Sequence, residues 1–163
     1  MLSAPEPLAE QHRVDGFACG VSSLDDWLRR RAKANQQSGA TRTFVLCDAG
    51  AVVAYYALAS SAVSVAGTPG KFRRNMPDPI PVVVLARLAI DQSRQRRGLG
   101  RALFQDAARR VVNAADAIGI RGLLVHALSD DAASFYSQLG LSSSPLDPMT
   151  LMVTIADLRA SLA

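Results

Sequence analysis

Apolar positions recur at helical spacing, at strand spacing and in short unbroken runs along this chain, and the changes between them set out its elements. Leu24, Trp27 and Leu28 fall on one face of a segment from Ser23 to Gln37, with Arg29, Arg30, Lys33 and Gln37 largely opposite. That spacing predicts an amphipathic helix capped by Ser23, with Asp25 and Asp26 in the first turn and Gly39 as the stop. Thr43 to Asp48 and Val52 to Ser60 read as strands joined by a hairpin turn at Asp48-Ala49-Gly50. Residues 67 to 81 are rich in Gly and Pro and read as a loop with room for one helical turn. Val82 to Ile90 is a nearly continuous apolar run, as a central strand requires. From Gly98 to Ile118 the positions Phe104, Ala108, Val111, Val112, Ala115 and Ile118 predict a long helix ended by Gly119. Gly122 to Leu128 is a further strand, Ser129 can cap a short helix ending at Gly140, and Thr150 to Ile155 is the last strand before a weak C-terminal helix. The order predicts a single α/β domain over residues 1–163, a mixed sheet flanked by helices.

Composition agrees: 49% hydrophobic and 20% charged residues can bury a core and do not describe a disordered chain. No apolar run approaches the roughly 18 residues of a membrane span, so no membrane partner is expected. No basic N-region precedes a short apolar stretch, and a cytoplasmic protein is expected. Cys19 and Cys47 show no CxxC spacing and read as reduced thiols. His12 and His126 also lack ligand spacing, so both read as structural and no metal is expected. The net charge is +4, and sixteen of the eighteen basic residues are Arg. Arg binds phosphate in a bidentate manner, but an Arg-favouring genome would give the same excess, so charge alone does not decide the partner.

The candidate chemistry lies at Gln95-Arg96-Arg97-Gly98-Leu99-Gly100, between a buried strand and an amphipathic helix. The glycines let backbone approach a ligand, and the first N–H groups of the helix have no partners within it. Arg94, Arg96, Arg97 and Arg101 add positive charge to the helix dipole, which makes an anion site suited to a pyrophosphate. A dinucleotide fingerprint would need a third small residue where Leu103 stands, and the Gly-Lys-Ser/Thr of a P-loop is absent. The plain alternative is a tight strand-to-helix turn. The flanking strand and the four arginines favour the anion site.

Gln95-x-x-Gly98-x-Gly100 after a strand resembles the coenzyme-A motif of the GNAT superfamily of N-acetyltransferases. The closer resemblance is to its toxin branch, the acetyltransferases of bacterial toxin–antitoxin pairs. It is carried by Phe17-Ala-Cys-Gly20, Leu24-Asp-Asp-Trp-Leu28, residues 73–81, Ala86-Arg-Leu-Ala-Ile-Asp91, Phe135-Tyr136 and residues 144–151.

The resemblance implies the GNAT fold, acetyl-CoA as co-substrate without a metal, and acetyl transfer to the α-amine of aminoacyl-tRNA, which blocks translation. It implies acetyl-CoA contacts from Leu88, Ala89, Ile90, Gln95, Arg96, Arg97, Gly98, Leu99, Gly100 and Arg101, with backbone N–H groups of Leu88 to Ile90 facing the thioester carbonyl. It makes Tyr136 the general acid for the CoA thiolate, although Ala132, Phe135, Tyr136 and Leu139 also share a helix face, as core residues would. A ribbon–helix–helix antitoxin and a homodimer are the implied partners.

The chain has only two Glu, both near the N-terminus, so the glutamate base frequent on the central strand of this superfamily has no counterpart among Val82 to Ile90. An α-amine, with a pKa of about 7.7–8.0, needs less help than a lysine at about 10.4, and water or His126 remains open as base. Arg29, Arg30, Lys33, Lys71, Arg73 and Arg74 are the expected tRNA surface, a solvated charged face being the plain alternative. Arg87, inside an apolar strand, must be paired. It reaches either the tRNA 3′ end or a carboxylate such as Asp91, with the structural pair preferred. The competing functions are an acetyltransferase for small amines or protein N-termini, and a non-catalytic RNA- or protein-binding module on the same fold.

Overall fold

The computed structural model describes residues 1–163. The strands are β1 (Glu6–Pro7), β2 (Arg42–Asp48), β3 (Ala51–Val63), β4 (Ile80–Ile90), β5 (Gly122–His126), β6 (Ser142–Ser143) and β7 (Thr150–Thr154). The helices are α1 (Ser22–Arg30), α2 (Ala32–Ser38), α3 (Gly70–Arg73), α4 (Leu99–Ala115), α5 (Asp130–Gln138) and α6 (Ile155–Leu162). The strands join as one mixed sheet in the order β1-β2-β3-β4-β5-β7-β6. No helix is long and apolar enough to cross a membrane.

The chain forms two compact bodies. One comprises Met1–Ala59 with Ala86–Ala107. Its core gathers Phe17, Leu24, Trp27, Leu28, Val45, Tyr55 and Ala89. The expected hairpin is present: β2 and β3 pair antiparallel around Ala49 and Gly50, whose φ values of +51° and +82° give the twist that short hairpins favour. The first helix differs from expectation. Arg31, at φ −123° and ψ −29°, breaks it into α1 and α2, and Val21 rather than Ser23 stands at its N-cap with no side-chain bond. Gly39 does end α2, in the left-handed conformation.

The second body comprises Ser60–Leu85 with Ala108–Ala163. Val82 to Leu85 of β4 pair in parallel with Gly122 to Val125 of β5, and β5 pairs antiparallel with β7. Phe72, Ile80, Val82, Leu124 and Met152 pack together on one face there. Gly122 is forced by this packing, because a Cβ would lie 2.1 Å from the Val153 carbonyl and 2.6 Å from the Phe72 ring. Ser129 caps α5 as expected, accepting from the Ala132 N–H at 3.1 Å. The long helix stops at Ala115, three residues short of expectation, and Ile118 is 65% exposed instead of facing a core. Strands β1 and β6, two residues each, have no sequence counterpart because a period of two cannot show in two residues.

Candidate active site

The glycine turn is held from below by side chains, which leaves its outer surface to a ligand. Gln95 is exposed, but its amide nitrogen is engaged within the chain. Its Nε2 donates to the Ile90 carbonyl at 2.9 Å and the Cys19 carbonyl at 2.8 Å. Asp91 braces the same junction, accepting from the Ala18 N–H at 2.9 Å and from Ser93 through both N–H and hydroxyl. Burial alone would raise the Asp91 pKa, but these hydrogen bonds and the nearby Arg94 hold it below the usual carboxylate range. The Gln92 N–H donates to the Ala18 carbonyl, and the buried Asp25 accepts from the Cys19 N–H at 2.8 Å. Phe17-Ala-Cys-Gly20 and the turn are therefore one braced unit, a coupling the spacing of the motifs does not reveal.

Above this brace the chain turns through Arg96 at φ +63° and Gly98 at φ +77°. A Cβ on Gly98 would meet nothing within 4 Å, so this glycine is required by its backbone angle and opens onto free space. The Ala102 N–H is bonded back to the Gly98 carbonyl at 3.2 Å, so the N–H groups of Leu99, Gly100 and Arg101 precede the first α4 bond. Arg96, Arg97 and Arg101 are exposed and engage no other side chain or carbonyl. Arg94 is a correction to the expected set of four: it pairs with Asp48, whose other oxygen holds the Met1 ammonium at 2.9 Å. Three free guanidinium groups, a set of exposed amides and a helix dipole remain, and this arrangement fits a diphosphate.

Arg87 is a second correction. It makes no carboxylate pair, and Asp91 is taken up by Ala18 and Ser93. Its guanidinium lies 4.3 Å from the centre of the Trp27 ring, which in turn stacks on Tyr55 at 5.9 Å. The stack supplies the compensation that a half-buried cation needs. Tyr55 is fully buried and donates to the Leu24 carbonyl at 2.7 Å, and burial pushes its pKa upward. Leu88 and Ile90 are half-buried and Ala89 buried on the same strand.

The expected RNA surface divides into free and engaged cations. On α1 and α2, Arg29 donates to the Phe17 carbonyl at 2.6 Å and pairs with Asp26, and Lys33 donates to the Glu10 carbonyl at 2.9 Å. Arg30 has no partner. In the second body Lys71 pairs with Asp157 at 2.8 Å, while Arg73 and Arg74 are exposed and free. Arg121 fixes that loop, donating to the Phe72 carbonyl at 2.7 Å and the Lys71 carbonyl at 2.8 Å.

Tyr136 lies on α5, 8% exposed, with Phe135 edge-on at 5.1 Å. Burial raises its pKa to about 12. His126, at the end of β5, is exposed, with its Nδ1 3.0 Å from the Thr150 hydroxyl. Thr150 in turn donates to Asp147 at 2.9 Å. His12 is structural, as expected. Its Nδ1 accepts from the Ala9 N–H at 2.9 Å, which places the proton on Nε2, 3.0 Å from Glu6. Cys47 and Glu6 lie close by, but both imidazole nitrogens are already engaged. Cys19 and Cys47 are free, buried thiols, and burial raises both pKa values, that of Cys19 to about 11.

Residues 39–140 match the model of the acetyltransferase (GNAT) domain. The chain belongs to the GNAT acetyltransferase family. Within that family it is 51% identical to the tRNA-acetylating toxin of Mycobacterium tuberculosis, over 97% of this chain and 95% of the relative. A solved structure of AtaT complexed with acetyl-methionyl-tRNAfMet superposes with a TM-score of 0.91 at 29% identity, covering 100% of each chain. A tyrosine-to-phenylalanine mutant of AtaT, bound to the C-terminus of the antitoxin AtaR and to acetyl-CoA, superposes with a TM-score of 0.83 at 28% identity. That match covers 98% of this chain and 97% of AtaT.

Proposed function

We propose that this GNAT enzyme moves the acetyl group of acetyl-CoA to the α-amine of an aminoacyl-tRNA and so arrests translation. The observation that carries the reading is the braced turn, with unbonded amides and the free Arg96, Arg97 and Arg101 gathered at the start of α4. The choice of acceptor is supported by the 51% identity to a tRNA-acetylating toxin and by the free cations Arg30, Arg73 and Arg74.

Arg96, Arg97, Gly98, Leu99, Gly100 and Arg101 hold the diphosphate, and Gln95 holds the turn. Backbone N–H groups of Leu88 to Ile90 bind the thioester carbonyl as charge gathers on its oxygen. The neutral α-amine attacks the carbonyl carbon, the C–N bond forms as the nitrogen gives up one proton to a base, and the C–S bond breaks. Tyr136 gives its phenolic proton to the departing thiolate. With its pKa near 12 the phenol is protonated at any working pH, so the acid is always in the required form. Arg30, Arg73 and Arg74 grip RNA phosphates, and Arg87, steadied on Trp27, meets the 3′ end of the acceptor. Arg29, Lys33 and Lys71 contribute field rather than direct contact, because their head groups are engaged within the chain.

The enzyme acts in the cytoplasm as a homodimer and is silenced by a ribbon–helix–helix antitoxin whose C-terminal segment covers the basic surface. Incubation with labelled acetyl-CoA and total charged tRNA tests the reading. Label is expected on the α-amine of the esterified amino acid, released by mild base as an N-acetyl amino acid. Label confined to small amines or protein N-termini would reject it.

A further inference from the structure

We propose that His126 is the general base of this acetyl transfer, with Thr150 and Asp147 fixing the tautomer that leaves its Nε2 free. The proposal rests on the acetyl-transfer reading above. The hydrogen-bond inventory sets the tautomer. Asp147 accepts from the Met149 N–H at 2.9 Å and from the Thr150 hydroxyl at 2.9 Å. A hydroxyl has one proton, and Thr150 spends it on Asp147. Its oxygen can then only accept from His126 Nδ1, 3.0 Å away. A neutral imidazole with its proton on Nδ1 carries its lone pair on Nε2, the nitrogen to which no partner is assigned. The Asp147 carboxylate is held ionised by the Met149 N–H first and by Thr150 next, and it steadies the imidazolium that forms when His126 takes up a proton. Asp147 is the charge facing His126 from the segment ahead of β7, and Asp130 and Asp131 open α5 a few residues further along the chain.

Placement supports the role. His126 is the one exposed residue of β5, one step beyond the last β4–β5 pair at Leu85 and Val125. It pairs across with Thr150, as Leu124 does with Met152, so these four residues lie on one sheet face. Phe72 packs on Leu124 and Met152 on that same face, and Arg73 and Arg74 follow Phe72 directly. The imidazole thus stands at the open end of the face that carries the basic loop, where an RNA-borne amine would arrive.

The proton balance is complete. The neutral amine attacks and the C–N bond forms. The proton shed by that nitrogen goes to His126 Nε2. The C–S bond breaks and the thiolate takes the Tyr136 proton. Imidazolium and phenolate then return to their starting forms by exchange with solvent.

The test is single-turnover acetylation of charged tRNA by the His126→Ala, Thr150→Val, Thr150→Ser and Asp147→Asn enzymes, with acetyl-CoA affinity and melting temperature measured beside it. His126→Ala is expected to lose about 100-fold in rate, the lower end for general-base catalysis, with acetyl-CoA affinity unchanged. Added imidazole should restore activity in a dose-dependent way. Thr150→Val and Asp147→Asn should lose about tenfold, and Thr150→Ser should recover. If His126→Ala does not fold, His126→Asn keeps the bond to Thr150 and takes its place. Near-normal turnover, or a loss that imidazole does not repair, overturns the proposal while leaving tRNA acetylation intact. A wild-type enzyme that transfers nothing to charged tRNA would instead overturn the reading beneath it.

Discussion

Replacing Gln95 with alanine isolates the brace from the ligand contacts. The side chain makes two hydrogen bonds, at 2.8 and 2.9 Å, both to main-chain carbonyls. A typical protein hydrogen bond is worth about 1 kcal/mol net, and carbonyls that water can reach recover part of that on losing their donor. Losing both should therefore cost about 1–1.5 kcal/mol in organisation of the turn. Binding must then supply that order, so the Kd for CoA should rise about tenfold. If the whole loss appeared in folding instead, the melting temperature would fall by about 2–5 °C. Calorimetric titration with CoA and with pantetheine, which lacks the diphosphate, separates the cases. CoA binding should weaken and pantetheine binding should stay unchanged. Unchanged affinity for both, or equal losses for both, would refute the idea that Gln95 acts by holding the turn.

Tyr136→Phe should keep the fold and acetyl-CoA binding but lose most turnover. Because burial raises the Tyr136 pKa to about 12, the wild-type enzyme should show no alkaline limb near pH 9 that Tyr136→Phe removes, and such a limb would contradict the assignment. Arg74→Glu should weaken aminoacyl-tRNA binding and flatten its salt dependence, whereas Lys33→Ala should do much less because its ammonium is spent on the Glu10 carbonyl. Equal effects in filter binding across a salt series would reject that division. Asp91 has a folded pKa below its unfolded value of about 3.9, so its contribution to stability is fully present above about pH 4 and is lost as pH falls through the folded value. Asp91→Asn should flatten the acid limb of a melting-temperature profile, and an unaltered limb would show that Asp91 is not the group responsible.

What was legible in the sequence was local. The hairpin at Ala49-Gly50, the cap at Ser129, the turn at Gly98 and the shared face of Ala132, Phe135, Tyr136 and Leu139 each depend on residues within one or two turns of one another. What escaped depends on contacts across the chain. Gln95 reads as a ligand residue until its amide is seen on Cys19, 76 positions away. Arg94 reads as part of the anion site until it is seen on Asp48, and the hold of Lys33 on the Glu10 carbonyl joins positions 23 apart that no local pattern links. The polar chain from His126 to Asp147 arises from the β5–β7 register, which no spacing along the sequence encodes. The break at Arg31 and the exposure of Ile118 show the limit of periodicity: an apolar stripe marks a face, but packing decides where the helix stops.

The grip of the turn on the diphosphate is most directly tested by titrating clean, folded protein with acetyl-CoA in a calorimeter, alongside the Arg96→Glu/Arg97→Glu variant. One molecule should bind per chain, more weakly as salt rises, and the variant should lose binding while keeping its melting temperature. No heat of binding from the wild-type protein, or an unaffected double variant, would contradict it.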